Sequence, residues 1–140
     1  MNQPILISWI GNTDLRASNG EPGAGVGPIA QAVDSRQFTE LHLLSDHAVK
    51  ETQHFVSWLR KRAKVEVVTH SAKLSGPTEF SEIYEAAVSV VHGITMPRNN
   101  QVHLVYHLSP GTPAMAAVWV LLAKTIHPGE LIESSAQKGV

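Results

Sequence analysis

Residues 102–125 read VHLVYHLSPGTPAMAAVWVLLAKT, and this stretch decides the fold. The run 102–108 has strand length and is apolar almost throughout, as expected of a strand covered on both faces. It stops at Ser109-Pro110-Gly111-Thr112-Pro113. A helix-period segment, 114–126, follows at once and is apolar almost all round, which predicts a well-buried helix. Thr112 suits an N-cap, with Pro113 at the first helical position. A buried strand, a tight turn and a buried helix make half of a βαβ unit.

Working outward, the same alternation recurs. ILISWI (5–10), ELHLL (40–44) and KVEVV (64–68) have strand length and are rich in Val, Ile and Leu. Residues 28–33 predict a short helix with proline in its first turn. Residues 47–63 place Val49, Phe55, Val56 and Leu59 on one face, with Asp46 as N-cap. Residues 80–94 place Ile83, Ala87, Val90, Val91 and Ile94 on one stripe. The order βαβαβαβα predicts an α/β protein: one Rossmann-like, doubly wound, mainly parallel sheet with right-handed crossovers, a single domain over 1–140. The tail LIESSAQKGV starts like another β unit, so a fifth strand is expected there. The chain reads as part of a longer protein, or as one whose tail pairs elsewhere.

Charged residues make up only 16% of the chain, against roughly 25% in ordinary soluble domains. Some surface is therefore expected to be covered, by a partner subunit or by more chain. The net charge is -1. The one compact basic cluster, Arg60-Lys61-Arg62 with Lys64, reads as a solvated face and helix-end charge, so direct duplex DNA binding is not expected. The absence of cysteine excludes disulfides, thiolate chemistry and cysteine-based zinc sites. The first residues carry no basic region of a signal peptide, and no run approaches the roughly 18 apolar residues of a membrane span. A cytoplasmic protein with no membrane partner is the expectation.

In open parallel sheets, ligands sit beyond the carboxyl ends of strands where the strand order reverses. With order 3-2-1-4, that point lies between the first and fourth strands. The loops there are Gly11–Arg16 and Ser109–Pro113. Gly111 permits close backbone approach, and the amides of Gly111, Thr112, Ala114 and Met115 would face an anion at the positive end of a helix. The expected ligand-binding residues are Trp9, Gly11, Asn12, Thr13, Asp14, Arg16, Ser109, Gly111, Thr112 and Met115. The helix end, the Ser109 and Thr112 hydroxyls and Arg16 would take phosphate. Asn12, Thr13 and Asp14 would read ribose or base edges, and Trp9 would stack on a base. The alternative is a strand-to-helix turn that binds nothing.

No lysine follows Gly111, so this is no Walker A loop. Gly25-Val26-Gly27-Pro28-Ile29-Ala30 fits G-x-G-x-x-A, and Asp46 stands where a ribose-binding acid would. The motif lies too far beyond the first strand for a dinucleotide turn, and it reads as a flexible loop over the site. His103 and His107 point the same way on one strand, with His42 nearby. Satisfied or surface histidines are the default, and His107, beside the turn, is the exception. No G-x-S-x-G elbow occurs, and a Ser109–His107–Asp14 trio is a minor alternative. No metal, no cofactor and no catalytic residue are expected. Trp58 and Trp119 read as core or dimer surface.

LSPGTPAMAAVWVLLAKT and ISWIGNTDL resemble the fourth-strand and first-strand units of CARF domains (CRISPR-associated Rossmann fold). PGELIESSAQKGV is similar to the sensor domains that precede an AAA+ ATPase in sigma-54-dependent transcriptional regulators of the RNA-repair regulator type. The resemblance implies a homodimeric sensor of an RNA-derived signal, a cyclic oligoadenylate or an RNA end, bound across the two-fold axis. Its output would be a C-terminal transcription-activating ATPase. The dimer is expected to bury part of the fourth helix and its Trp119 face. Pro113 stands where many relatives carry lysine, so binding without cleavage is the expectation. The alternatives are a ring nuclease or CRISPR effector sensor domain, an NAD-binding enzyme, and a purely structural dimerisation module.

Overall fold

The computed structural model describes residues 3–134. Its elements are β1 (Pro4–Trp9), α1 (Asn12–Ser18), α2 (Gly27–Ser35), β2 (Glu40–Ser45), α3 (Val49–Arg62), β3 (Glu66–Ser71), α4 (Phe80–Thr95), β4 (His103–His107), α5 (Pro113–Lys124) and β5 (Glu130–Ile132). The strands form one sheet in the order β3-β2-β1-β4-β5, and every pairing is parallel. This is the Rossmann-like α/β architecture the alternation predicts, with the order reversing between β1 and β4.

Strand periodicity sorts the side chains into two layers. Ile5, Ile7 and Trp9 of β1 join Leu104 and Tyr106 of β4 under α4 and α5. Leu6 and Ile10 join Leu41, Leu43, Val67 and Val105 under α2 and α3. In the first layer, the rings of Trp9 and Trp119 lie 6.5 Å apart and those of Tyr106 and Trp119 5.4 Å apart. The Tyr106 hydroxyl donates to His127 O at 2.8 Å, and burial pushes its pKa well above the ordinary phenol value.

Trp119 therefore belongs to the core, fully buried within the chain, and not to a dimer face. Nor is α5 buried all round. Met115, Val118, Trp119 and Leu122 point inward, while Val120 and Leu121 remain 38% and 40% exposed.

Four boundaries differ from expectation. Residues 12–18 form a helix where a loop was expected. Helix α3 begins at Val49 behind Ala48, with no side-chain cap, so Asp46 is not its N-cap. Strand β3 lies at Glu66–Ser71, shifted towards the C-terminus from 64–68. The fifth strand exists, but with three residues, and it pairs with β4. Residues 135–140 of the tail lie outside the described residues.

The basic cluster ties α3 to its surroundings. Arg60 donates to Val67 O at 3.0 Å, and Arg62 pairs with Asp34 at 2.9 Å while lying over the Trp58 ring. No helix among the described residues is long and apolar enough to cross a membrane.

Candidate functional site

The turn after β4 is built by three local constraints. Gly111 has φ +88°, a left-handed conformation that side chains disfavour, and a Cβ there would come within 2.5 Å of Met115 Sδ. Thr112 caps α5, its Oγ1 accepting from Met115 N at 3.4 Å. The same hydroxyl donates to Pro77 O at 2.8 Å, which pins the segment before α4 against the turn. Pro113 opens the helix where no N–H is needed.

Across the switch point, a Cβ on Gly11 would lie 2.8 Å from Gly111 N. The β1 and β4 turns thus touch backbone to backbone, and glycine on both sides allows it. Above this contact lies a cleft of about 360 Å³. Gly11, Asn12, Thr13 and Asp14 form one wall. Ser109, Gly111, Thr112 and Met115 form the other. Eight of the ten expected residues are therefore brought together. Of the amides at the start of α5, Met115's donates to its cap and Thr112's points at Met115 Sδ. Those of Gly111 and Ala114 make no hydrogen bond to a described residue.

Two expected residues are not at the cleft. Trp9 is fully buried, because it shares the face of Ile5 and Ile7 that α5 covers, so it has no free ring face for a base. Arg16 sits on the exposed side of α1, its guanidinium 3.3 Å from Thr13 Oγ1, and is not part of the cleft wall. Asp14 lines the cleft but is already engaged. Its Oδ2 accepts from Gly11 N at 2.9 Å and its Oδ1 from Ile29 N at 3.0 Å. One carboxylate thereby fixes the start of α1 and the start of α2, with both of its oxygens already accepting from backbone amides. Burial pushes its pKa up to about 6, against the downward pull of the two amides and His47.

The glycine-rich stretch does not cover the site. Glu21 N donates back to Arg16 O at 3.1 Å, and of residues 20–30 only Pro28 reaches the cleft. Two residues that sequence reasoning gave other roles or passed over lie on the wall. Asp46 and His47 follow β2 directly. His47 donates from Nε2 to Ile10 O at 2.8 Å, anchoring the β2 turn to the end of β1. The signal for both was their place at the carboxyl end of a strand beside the switch point. No lysine or arginine lines the cleft among the described residues.

Four of the remaining histidines are tied into polar networks within the fold. His42 bridges Glu40 at 2.8 Å and His70 at 2.9 Å, and both oxygens of Glu40 also accept from Arg98 Nη2. His103 bonds Glu130, which Arg36 grips with two nitrogens. His107 is fully buried. It contacts Ser8 and Ser134 rather than Ser109, so the Ser109–His107–Asp14 trio is not assembled. Burial holds its pKa down at about 4. No group of three His, Cys, Asp or Glu suited to a metal occurs among the described residues.

No family model matches the sequence, and no curated protein matches it. Solved structures do match in fold. Csm6 from Enterococcus italicus, bound to cyclic hexa-2′-fluoro-hexa-dAMP, superimposes with TM-score 0.77 at 16% identity, covering 97% of this chain and 35% of that one. Can2 from Sulfobacillus thermosulfidooxidans, in complex with cyclic tetra-adenylate, gives TM-score 0.63 at 14% identity, covering 96% and 32%. A protein from Vibrio cholerae gives 0.65 at 14% identity, covering 97% and 32%. This chain thus spans about a third of the length of these structures. At such identities the likeness establishes the fold.

Proposed function

We propose that this chain is a ligand-sensing domain of the CARF type, which binds an RNA-derived nucleotide signal, a cyclic oligoadenylate or an RNA end, in the cleft between β1 and β4. The observation that carries the reading is the Gly11–Gly111 contact, which brings the amide-bearing start of α5 to the floor of a cleft at the strand-order reversal. Two solved structures of similar fold were determined with cyclic nucleotides bound. A helix start contributes about 0.3–1 kcal/mol towards an anion at an exposed site. With no cation on the wall among the described residues, affinity has to come from amides, hydroxyls and shape.

The domain works as a homodimer in the cytoplasm and binds its signal without cleaving it. The exposed Val120 and Leu121 on α5 supply an apolar face for the second copy. Two copies bring two helix starts to one symmetric ligand. Of the acid and base groups near the turn, Asp14 is committed to two amides and His107 to Ser8 and Ser134, while His47 on the wall is held by Ile10 O. Its output is control of a transcription-activating ATPase placed after it in the chain.

Calorimetry with cyclic tetra-adenylate, cyclic hexa-adenylate and an RNA ending in 2′,3′-cyclic phosphate tests the binding. Sedimentation tests the dimer, and chromatography of the recovered ligand tests for cleavage. If none of the three ligands binds, the reading is wrong.

A further inference from the structure

The chain just beyond β5 is held by the end of β4 and its turn, including one residue that lines the cleft, Ser109. Ser134 N donates to Ser109 Oγ at 2.7 Å, and Ser109 Oγ donates to Ser134 O at 3.2 Å. The Ser134 hydroxyl lies 2.6 Å from His107 Nε2. One rung below, Leu108 N donates to Ile132 O at 2.9 Å. All three polar groups of Ser134 are thus bound to β4 or its turn, and β5 itself has only three residues.

Proton counting fixes the direction of the Ser109 bonds, because a carbonyl oxygen only accepts and an amide N–H only donates, while the His107 bonds follow its tautomer. With the single proton of Ser8 on Trp9 O at 3.0 Å, Ser8 accepts from His107 Nδ1–H. Neutral histidine carries one ring proton, which leaves Nε2 as an acceptor for the Ser134 hydroxyl. Ser109 likewise has one proton, and Ser134 O holds it. Yet Ser109 also lines the cleft. A ligand group that donates can use its remaining lone pair without disturbing anything. A ligand group that only accepts, such as a phosphate oxygen, can bond Ser109 only by taking that proton from Ser134.

We propose that Ser109 is a one-proton switch between the cleft and the chain beyond β5: a phosphate oxygen seated in the cleft competes with the Ser134 carbonyl for the Ser109 hydroxyl proton and loosens Ser134. The inference rests on the ligand reading above and adds the route by which occupancy leaves the site.

Hydrogen exchange on the full chain tests it. In the unliganded protein, Ser109→Ala should speed exchange at the Ser134 amide about tenfold, as expected when a local hydrogen bond that limits opening is removed. Ser109→Thr, which keeps the hydroxyl, should restore slow exchange. Saturating cyclic tetra-adenylate should speed the same amide in the wild type while slowing those of Gly111 and Thr112, and should have no further effect at Ser134 in Ser109→Ala. Unchanged Ser134 exchange in Ser109→Ala, or in wild type shown by calorimetry to be saturated, overturns the switch. If no cyclic oligoadenylate binds, the ligand reading falls instead, and inorganic phosphate becomes the probe of the switch. Faster Ser134 exchange with phosphate sustains it, and unchanged exchange overturns it.

Discussion

Replacing Asp14 with asparagine should change how stability depends on pH, as well as its size. In the folded chain the Asp14 carboxyl sits at about 6, against 3.8 for the free group. A raised folded pKa means the folded state binds the proton more tightly than the unfolded state does. The stability from this group is therefore full below about pH 3.8 and lost as pH rises through about 6. The 3.8-to-6 difference corresponds to about 3 kcal/mol. Asparagine cannot take up the proton, so the gap between wild type and Asp14→Asn should widen by about 2.5 kcal/mol on going from pH 7.5 to pH 4. A pH-independent cost comes on top. Asparagine has one acceptor oxygen for two amides, Gly11 N and Ile29 N, and a buried donor without a partner costs about 1–3 kcal/mol. Urea unfolding at several pH values, followed by the fluorescence of buried Trp9 and Trp119, measures both effects. Parallel pH profiles for the two proteins would refute the reasoning, because Asp14 would then titrate alike in folded and unfolded chains.

His107 should act with the opposite sign: its folded pKa of about 4 lies below 6.5, so its stability is present above pH 6.5 and falls away towards pH 4, by about 3 kcal/mol. In His107→Gln, acid should therefore cost less stability than in wild type, measured by the same urea titrations, whereas in Asp14→Asn it should cost more. Gly111→Ala should lower stability by about 2 kcal/mol or more, since it forces a side chain into positive φ and against Met115 Sδ; an unchanged urea midpoint would contradict this. Thr112→Ala should cost about 1–2 kcal/mol through loss of the cap and of the Pro77 bond. Arg16→Ala should shift stability by less than about 0.5 kcal/mol, and calorimetry should find ligand affinity little changed, because Arg16 is exposed and is not part of the cleft wall.

The strand order and the β4–α5 turn were legible because both rest on local pattern: short apolar runs, a cap residue, a proline and a glycine in sequence. Helix α1 was not legible. Its residues NTDLRAS are mediocre helix formers, and the bond that ties it down, Ile29 N to Asp14, joins positions far apart in sequence. Trp9 was misread although the parity was available, since it alternates in phase with Ile5 and Ile7 and so had to share their buried face. Asp46 was given two readings, a helix cap and an acid at the end of the second strand, and only its place at the end of β2 matches the structure, where it lines the cleft. The clamp of Ser134 on Ser109 and His107 joins β4 to the far side of α5, and no spacing rule connects them.

Placing β1 at the sheet's centre has a consequence for how the chain folds. On one side Ile5 pairs with Glu40, which is synthesised soon after it. On the other side Pro4 pairs with His103, so that edge of β1 waits for most of the polypeptide. Such long loop closures slow folding and lengthen exposure to aggregation. The α2–α3 layer draws nearly all its core from the first 67 residues, with Val105 and Ile132 added later. The other layer needs α4, β4 and α5. The strand made before the other four of this sheet thus waits longest to be enclosed, and the face bearing Ile5, Ile7 and Trp9 stays open to neighbouring chains until residues 103–124 arrive.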